Sequence, residues 1–154
     1  MTRNEAMQRL EACLLPEWAL LPDFGLYMDQ VVTFVGKCFA SLEGQLDLTP
    51  SMINNYVKAG LVERPAGKKY SRDALAQLLM LSLLKPAIPL DVLRLLITPA
   101  DGSSVEALYG SFRTLQTGVL RSIGEKSDKT VLNNALEASA LQLLVSLLTP
   151  SARQ

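Results

Sequence analysis

The sequence predicts a mainly α-helical chain with one small basic β-hairpin. Three observations lead there. Apolar residues recur at helical spacing through most of the chain. Capping residues and Pro or Gly stops divide that pattern into segments. One stretch breaks the helical rhythm: Leu61 to Arg64 and Lys68 to Tyr70 read as two short extended runs, with Pro65-Ala66-Gly67 as the turn between them.

Residues 1–22 open as a short amphipathic segment, with Met7, Leu10, Cys13 and Leu14 near one face. Pro16 and Pro22 then break any helix. Leu14, Leu15, Trp18, Leu20 and Leu21 are expected to lie across the domain as an N-terminal strap, although a lone Trp also suits a partner anchor. Asp23 caps an expected helix from Phe24 to Leu42, whose core stripe is Phe24, Tyr27, Met28, Val31, Phe34, Val35, Cys38 and Phe39. On that stripe Cys38 reads as a small buried hydrophobe. Ser41 to Asp47 is a loop.

Thr49 is a good N-cap, Pro50 suits the first helical position and Gly60 is a natural stop after Ala59. Between them Met52, Ile53, Tyr56 and Val57 share one face, and Ser51, Asn54, Asn55 and Lys58 the other. The basic hairpin follows. Ser71 caps a helix over 72–84 with Leu75, Leu78, Leu79 and Leu83 pointing inward, and Pro86 stops it. Pro89 opens a short helix through Ile97, with Leu90, Leu93, Leu96 and Ile97 on its packing side. Residues 98–102 (Thr-Pro-Ala-Asp-Gly) form the clearest boundary, dividing the chain into 1–98 and 103–150, two units that can also pack as one domain.

Ser103 with Glu106 has the pattern of a capping box. The helix after it carries the stripe Val105, Leu108, Tyr109, Phe112, Leu115, Val119 and Ile123, and Gly124 ends it. A last helix runs from near Asp128 to Leu148, with its second half apolar nearly all round. Such a helix must be buried on more than one side. The expectation is a two-fold dimer through Leu141, Leu144, Val145 and Leu148; the alternative is a helix sandwiched inside the monomer.

The polar face of 49–59 has no acid. Its amide side chains can pair bidentately with adenine in a major groove, and Lys58 is a phosphate-seeking cation. From Lys58 to Asp73 there are five positive residues (Lys58, Arg64, Lys68, Lys69, Arg72) and two negative ones (Glu63, Asp73), in a chain whose net charge is zero. This local excess is the footprint of a phosphate binder. Candidate DNA-contacting residues are therefore Ser51, Asn54, Asn55, Lys58, Arg64, Lys68, Lys69, Tyr70 and Arg72.

The runs MINNYVKAGLVERP and KKYSRDALAQLLMLSLLKPAIPLDVLRLL resemble the N-terminal domain of the mercury-resistance-regulator (MerR) superfamily over roughly residues 48–97. Tyr56, Gly60-Leu61, Lys69-Tyr70-Ser71 and Ile88-Pro89-Leu90 stand in the matching places. The longer span, from LPDFGLYMDQVV to LLITP, is more similar to the bacterial domain-of-unknown-function family 1836, to which a MerR-like winged helix is also attributed. The resemblance implies a winged helix-turn-helix with a small β-hairpin wing, a C-terminal helical hairpin and a DNA-binding homodimer. Asn54-Asn55-Tyr56 departs from the Arg-Tyr-Tyr usual in MerR recognition helices, and Lys69 replaces the usual wing arginine. Neither residue supplies the arginine fork, so the family's operator class does not carry over.

No histidine occurs, which removes the usual neutral-pH general base and the commonest metal ligand. Neither a phosphate-binding Gly-rich loop, a Gly-x-Ser-x-Gly elbow nor a carboxylate pair with a base partner is present, so no enzymatic activity, metal or cofactor is expected. Cys13 and Cys38 are isolated thiols that a reducing cytoplasm would keep free. No run of about 18 uninterrupted apolar residues suggests a membrane span, and a start with Arg3, Glu5, Arg9 and Glu11 is unlike a signal peptide, so the expected compartment is the cytoplasm. The expected function is a homodimeric regulator that binds double-stranded DNA. The alternatives are a winged-helix module for protein contact, and a small-molecule sensor with Tyr109 and Phe112 lining a pocket between the last two helices.

Overall fold

The computed structural model describes residues 1–126 and 130–149; the expected start of the last helix, Asp128, lies outside them. Among the described residues there are seven α-helices and no β-strand: α1 (Arg3–Glu11), α2 (Met28–Cys38), α3 (Pro50–Lys58), α4 (Arg72–Leu84), α5 (Leu90–Ile97), α6 (Val105–Glu125) and α7 (Val131–Leu148).

The core is built around α4. The Ser71 hydroxyl accepts the Ala74 N–H at 3.1 Å and starts the helix where the sequence places it. Ala74, Leu75, Ala76, Leu78, Leu79, Met80, Leu81 and Ser82 are all buried, so the buried surface extends well beyond the expected stripe. The one polar member, Ser82, donates to the Leu78 carbonyl at 2.8 Å and leaves no unmet hydroxyl inside. Helices α2, α5 and α6 pack on α4, and α3 packs on α2. In α5 the packing residues are Val92, Leu93 and Ile97, whereas Leu90 and Leu96 face solvent.

Two expectations near the N-terminus are corrected. The helix over 24–42 begins only at Met28 and gives way after Cys38 to a short 3₁₀ turn, Ala40–Leu42. Gly25 has φ 73°, which stops a helix from starting at Asp23, and its lack of a Cβ, which would stand 3.1 Å from the Lys69 Cβ, lets the turn approach closely. Phe24 (70% exposed) and Tyr27 consequently leave the core stripe. The second correction concerns the hairpin. Tyr70 exchanges backbone hydrogen bonds with Leu26 (2.9 and 2.7 Å), so its partner is the N-terminal segment and not residues 61–64. Leu61 and Val62 are buried, and the Glu63 N–H is taken by the Gln77 side chain at 2.8 Å. What remains of the wing is a tight turn closed by one bridge, Ala66 to Lys69.

Helix α6 ties down the segment between α1 and α2. Tyr109 donates its hydroxyl proton to the Pro16 carbonyl at 2.6 Å, and Arg113 Nε donates to the Leu15 carbonyl at 2.9 Å. Gln116 accepts the Leu15 N–H and donates to the Cys13 carbonyl. These side chains satisfy a segment with no ladder of its own. Trp18 lies edge-on to Tyr109 with ring centroids 5.7 Å apart; Leu15 and Leu21 are buried, while Leu14 and Leu20 stay exposed.

Helix α6 is capped by Ser104, which accepts the Ala107 N–H, and it continues through Gly124. Val105 and Tyr109 are buried in the common core, with Leu108 and Phe112 against it, so the first turns of α6 join the packing across residues 98–102. The second half of its stripe, Leu115, Val119 and Ile123, is exposed. In α7 no residue is buried. The sandwiched alternative therefore does not hold: the helix buried all round is α4.

Burial pushes the Cys38 thiol up to about 11, with the neighbouring Cys13 as a smaller cause, and Cys13 itself is buried. At pH 8 about one Cys38 in a thousand is the reactive thiolate, so a disulfide-exchange reagent should label the native chain far more slowly than the denatured one. Truncating Leu79 to Ala should cost about 2–5 kcal/mol by urea unfolding; a loss below about 1 kcal/mol would contradict the central place of α4.

Candidate nucleic-acid interface

The residues from Thr49 to Arg72 form a short helix, a buried link and a cationic turn. Thr49 Oγ1 accepts the Met52 N–H at 3.2 Å and Pro50 occupies the first turn. At the other end Gly60, with φ 75°, takes the left-handed position that lets Leu61 N–H reach the Tyr56 carbonyl (3.0 Å) and Gly60 N–H the Val57 carbonyl (3.1 Å). Arg94 of α5 donates to the Ala59 carbonyl and places a cation at the negative end of the α3 dipole.

These restraints fix how α3 is rotated. Ile53 is fully buried (0% exposed), and Met52, Tyr56 and Val57 pack against the core. Ser51, Asn54, Asn55 and Lys58 are all exposed. The four polar side chains assigned from the sequence thus stand together on the solvent face.

Arg64, Lys68 and Lys69 are exposed as well. Lys69 Nζ lies 5.5 Å from the centroid of the Tyr27 ring, an arrangement that holds the side chain over an aromatic face. Among the described residues Lys68 makes no ion pair. The turn and the start of α3 border one groove of about 770 Å³, with Pro50 on one side and Pro65, Gly67 and Lys68 on the other. Tyr27, Met28, Asp29, Val32 and Thr33 of α2 and its cap also line it. Asp29 is the one acid there.

Tyr70 and Arg72 are held differently: Tyr70 lines the floor of the groove, and Arg72 does not line it. Tyr70 is 5% exposed, and burial raises its hydroxyl above the ordinary value. Arg72 pairs with Asp23 at 3.3 Å and stacks 5.5 Å from the Trp18 ring centroid, with its Nε buried and unpartnered. It binds strap to helix. The local acids are drawn toward the start of α4: the Glu63 carboxylate accepts from Ser71 at 2.6 Å, and burial, then Glu63 and Glu106, raise Asp73.

Three contributors were missed in the sequence. Arg94 is one basic residue on an ordinary amphipathic helix; Tyr27 and Asp29 reach the groove only because the segment before α2 pairs with the turn. Nothing in the linear pattern marks those contacts. Of the aromatics proposed to line a ligand pocket, Tyr109 is committed to Pro16 and Trp18, and Phe112 packs on the core.

The family model described as "Domain of unknown function (DUF1836)" matches residues 16–112. No curated protein and no solved structure matches the chain.

Substituting Arg72 by Ala should remove the Asp23 and Trp18 contacts at a cost of about 1 kcal/mol, seen as a melting temperature lower by about 2–4 °C. Trp18 is the sole tryptophan, so its emission should shift to the red. Unchanged emission would mean that Arg72 does not hold the strap.

Proposed function

This chain belongs to the DUF1836 family, and from the exposed polar face of α3 we propose that it is a DNA-binding transcriptional regulator of MerR-like winged-helix type. The order α2, α3, cationic turn, α4, α5 supports that arrangement, with the wing reduced to a single-bridge turn. In this reading α3 enters a major groove. Ser51, Asn54 and Asn55 meet base edges, while Lys58, Arg64, Lys68 and Lys69 hold phosphates on either side. The carrying observation is the rotation of α3: Ile53 inward at 0% exposure, Ser51, Asn54, Asn55 and Lys58 outward. Asparagine pairs bidentately with adenine N6 and N7, so the site read by this face should contain adenine where a MerR arginine would select guanine.

One observation favours a second reading. The groove beside the turn is lined mainly by apolar side chains and holds Asp29, which would repel a phosphate. A protein segment that is apolar and basic would fit it, and the module would then be a protein-contact domain.

Fluorescence polarisation on random duplex separates the two. Under the DNA reading the parent binds near 50 mM salt, as non-specific electrostatic contacts require, and weakens steeply as salt rises. Lys68→Ala should weaken binding to all sequences and lower the salt slope by about one, whereas Asn54→Ala should relax preference at one base position. An unchanged slope in Lys68→Ala would remove the turn from the interface. No binding by the parent at low salt would favour the protein-contact reading.

A further inference from the structure

The groove between the cationic turn and the start of α2 joins three kinds of surface. Its walls are mainly apolar, from Met28, Val32, Pro50 and Pro65. The Tyr27 ring lines it and stays 48% exposed although the Lys69 ammonium lies over it at 5.5 Å. Its edge is cationic: Lys68 lines it, with exposed Arg64 and Lys69 on the same turn. Asp29 also lines it and, among the described residues, makes no ion pair.

We infer that this groove takes an unpaired guanine of a single nucleic-acid strand. The base lies against Tyr27, its Watson–Crick edge meets Asp29, and its backbone follows Arg64, Lys68 and Lys69. This inference rests on the nucleic-acid reading of α3 and the turn, and adds to it a second kind of strand.

Each part of the groove answers a part of that ligand. A volume of about 770 Å³ falls within the ~300–1,000 Å³ of ordinary ligand pockets and has room for a nucleotide. Every base has a π-face that stacks on an exposed aromatic ring, and unpaired bases are read on their Watson–Crick edges. In a duplex that edge is taken by the opposite strand, so Asp29 can meet it only on an unpaired base. The carboxylate then selects among bases, because it only accepts hydrogen bonds. Guanine presents two adjacent donors, N1–H and N2–H, to its two oxygens. Cytosine and adenine set a ring acceptor beside their amino donor, and thymine flanks its N3–H with two carbonyls, so each brings a lone pair against Asp29. Charge decides between occupants. Three cations on the turn against one acid leave the surface positive, which repels a basic peptide and suits an anionic strand. Several cations in a row hold successive phosphates, which favours a strand over a free nucleotide.

Fluorescence polarisation at low salt tests this with two labelled single strands of about twelve nucleotides, one of thymidine alone and one with a single central guanine. Random duplex is the reference. The parent should bind the guanine strand about tenfold more tightly than the thymidine strand. Asp29→Asn offers one acceptor and one donor where guanine needs two acceptors, so it should bring that ratio close to one. Tyr27→Ala should weaken both strands about tenfold, and Tyr27→Phe, which keeps the ring, should restore both. A parent ratio near one, or a ratio that Asp29→Asn leaves unchanged, would overturn the inference; continued binding of random duplex would then leave the α3 reading standing without it. A parent that binds neither strand nor duplex would overturn both. Displacement of the guanine strand by equimolar guanosine monophosphate would overturn the strand as the ligand.

Discussion

The burial of α4, eight of whose thirteen residues are enclosed, is the constraint on which the rest of the structure depends. A helix with no exposed apolar stripe and almost no polar face cannot stand at an edge; it needs neighbours on every side. Helices α2 and α5 supply part of that cover and α6 another part. The strap is drawn in by α6, whose Tyr109, Arg113 and Gln116 satisfy the backbone of residues 13–16. Once α4 is enclosed, its first residue, Arg72, is close enough to the strap to stack on Trp18 and pair with Asp23.

That last contact matters for the cationic turn. Residues 66–70 have one internal bridge, too little to hold a free hairpin in water. The turn is fixed from outside by Leu26 bonding Tyr70, Gly25 abutting Lys69 and Tyr27 facing the Lys69 ammonium. Lys68 and Lys69 are thereby presented beside α3 by a segment more than 40 positions earlier. The same pairing puts Asp29 into the groove, so the surface is cationic at its edge and mixed within.

Helix α7 illustrates a different physical situation. Its composition demands burial and the protomer gives none. Amphipathic periodicity tells which face of a helix turns inward; a helix apolar on all sides carries no such direction. The sequence pattern could state that α7 needs a partner. It could not say whether the partner lies in the same chain, and α4, whose own pattern is nearly as uniform, took the enclosed position because it lies mid-chain between helices able to wrap it.

Local chemistry determined much of this protein directly. The bounds of α3 and α4, the Thr49 and Ser71 caps, the Gly60 stop and the outward set Ser51, Asn54, Asn55 and Lys58 follow from capping and 3.6-residue periodicity, which act over a few residues and are therefore written in the chain. Tertiary structure alone decided that Tyr70 and Arg72 turn inward, that Phe24 and Tyr27 leave the core, that the wing pairs with Leu26 and that Asp29 shares the groove. Each depends on which distant segment arrives beside it. Type and spacing could not report this, because a tyrosine or an arginine serves as well in a core contact as on a phosphate.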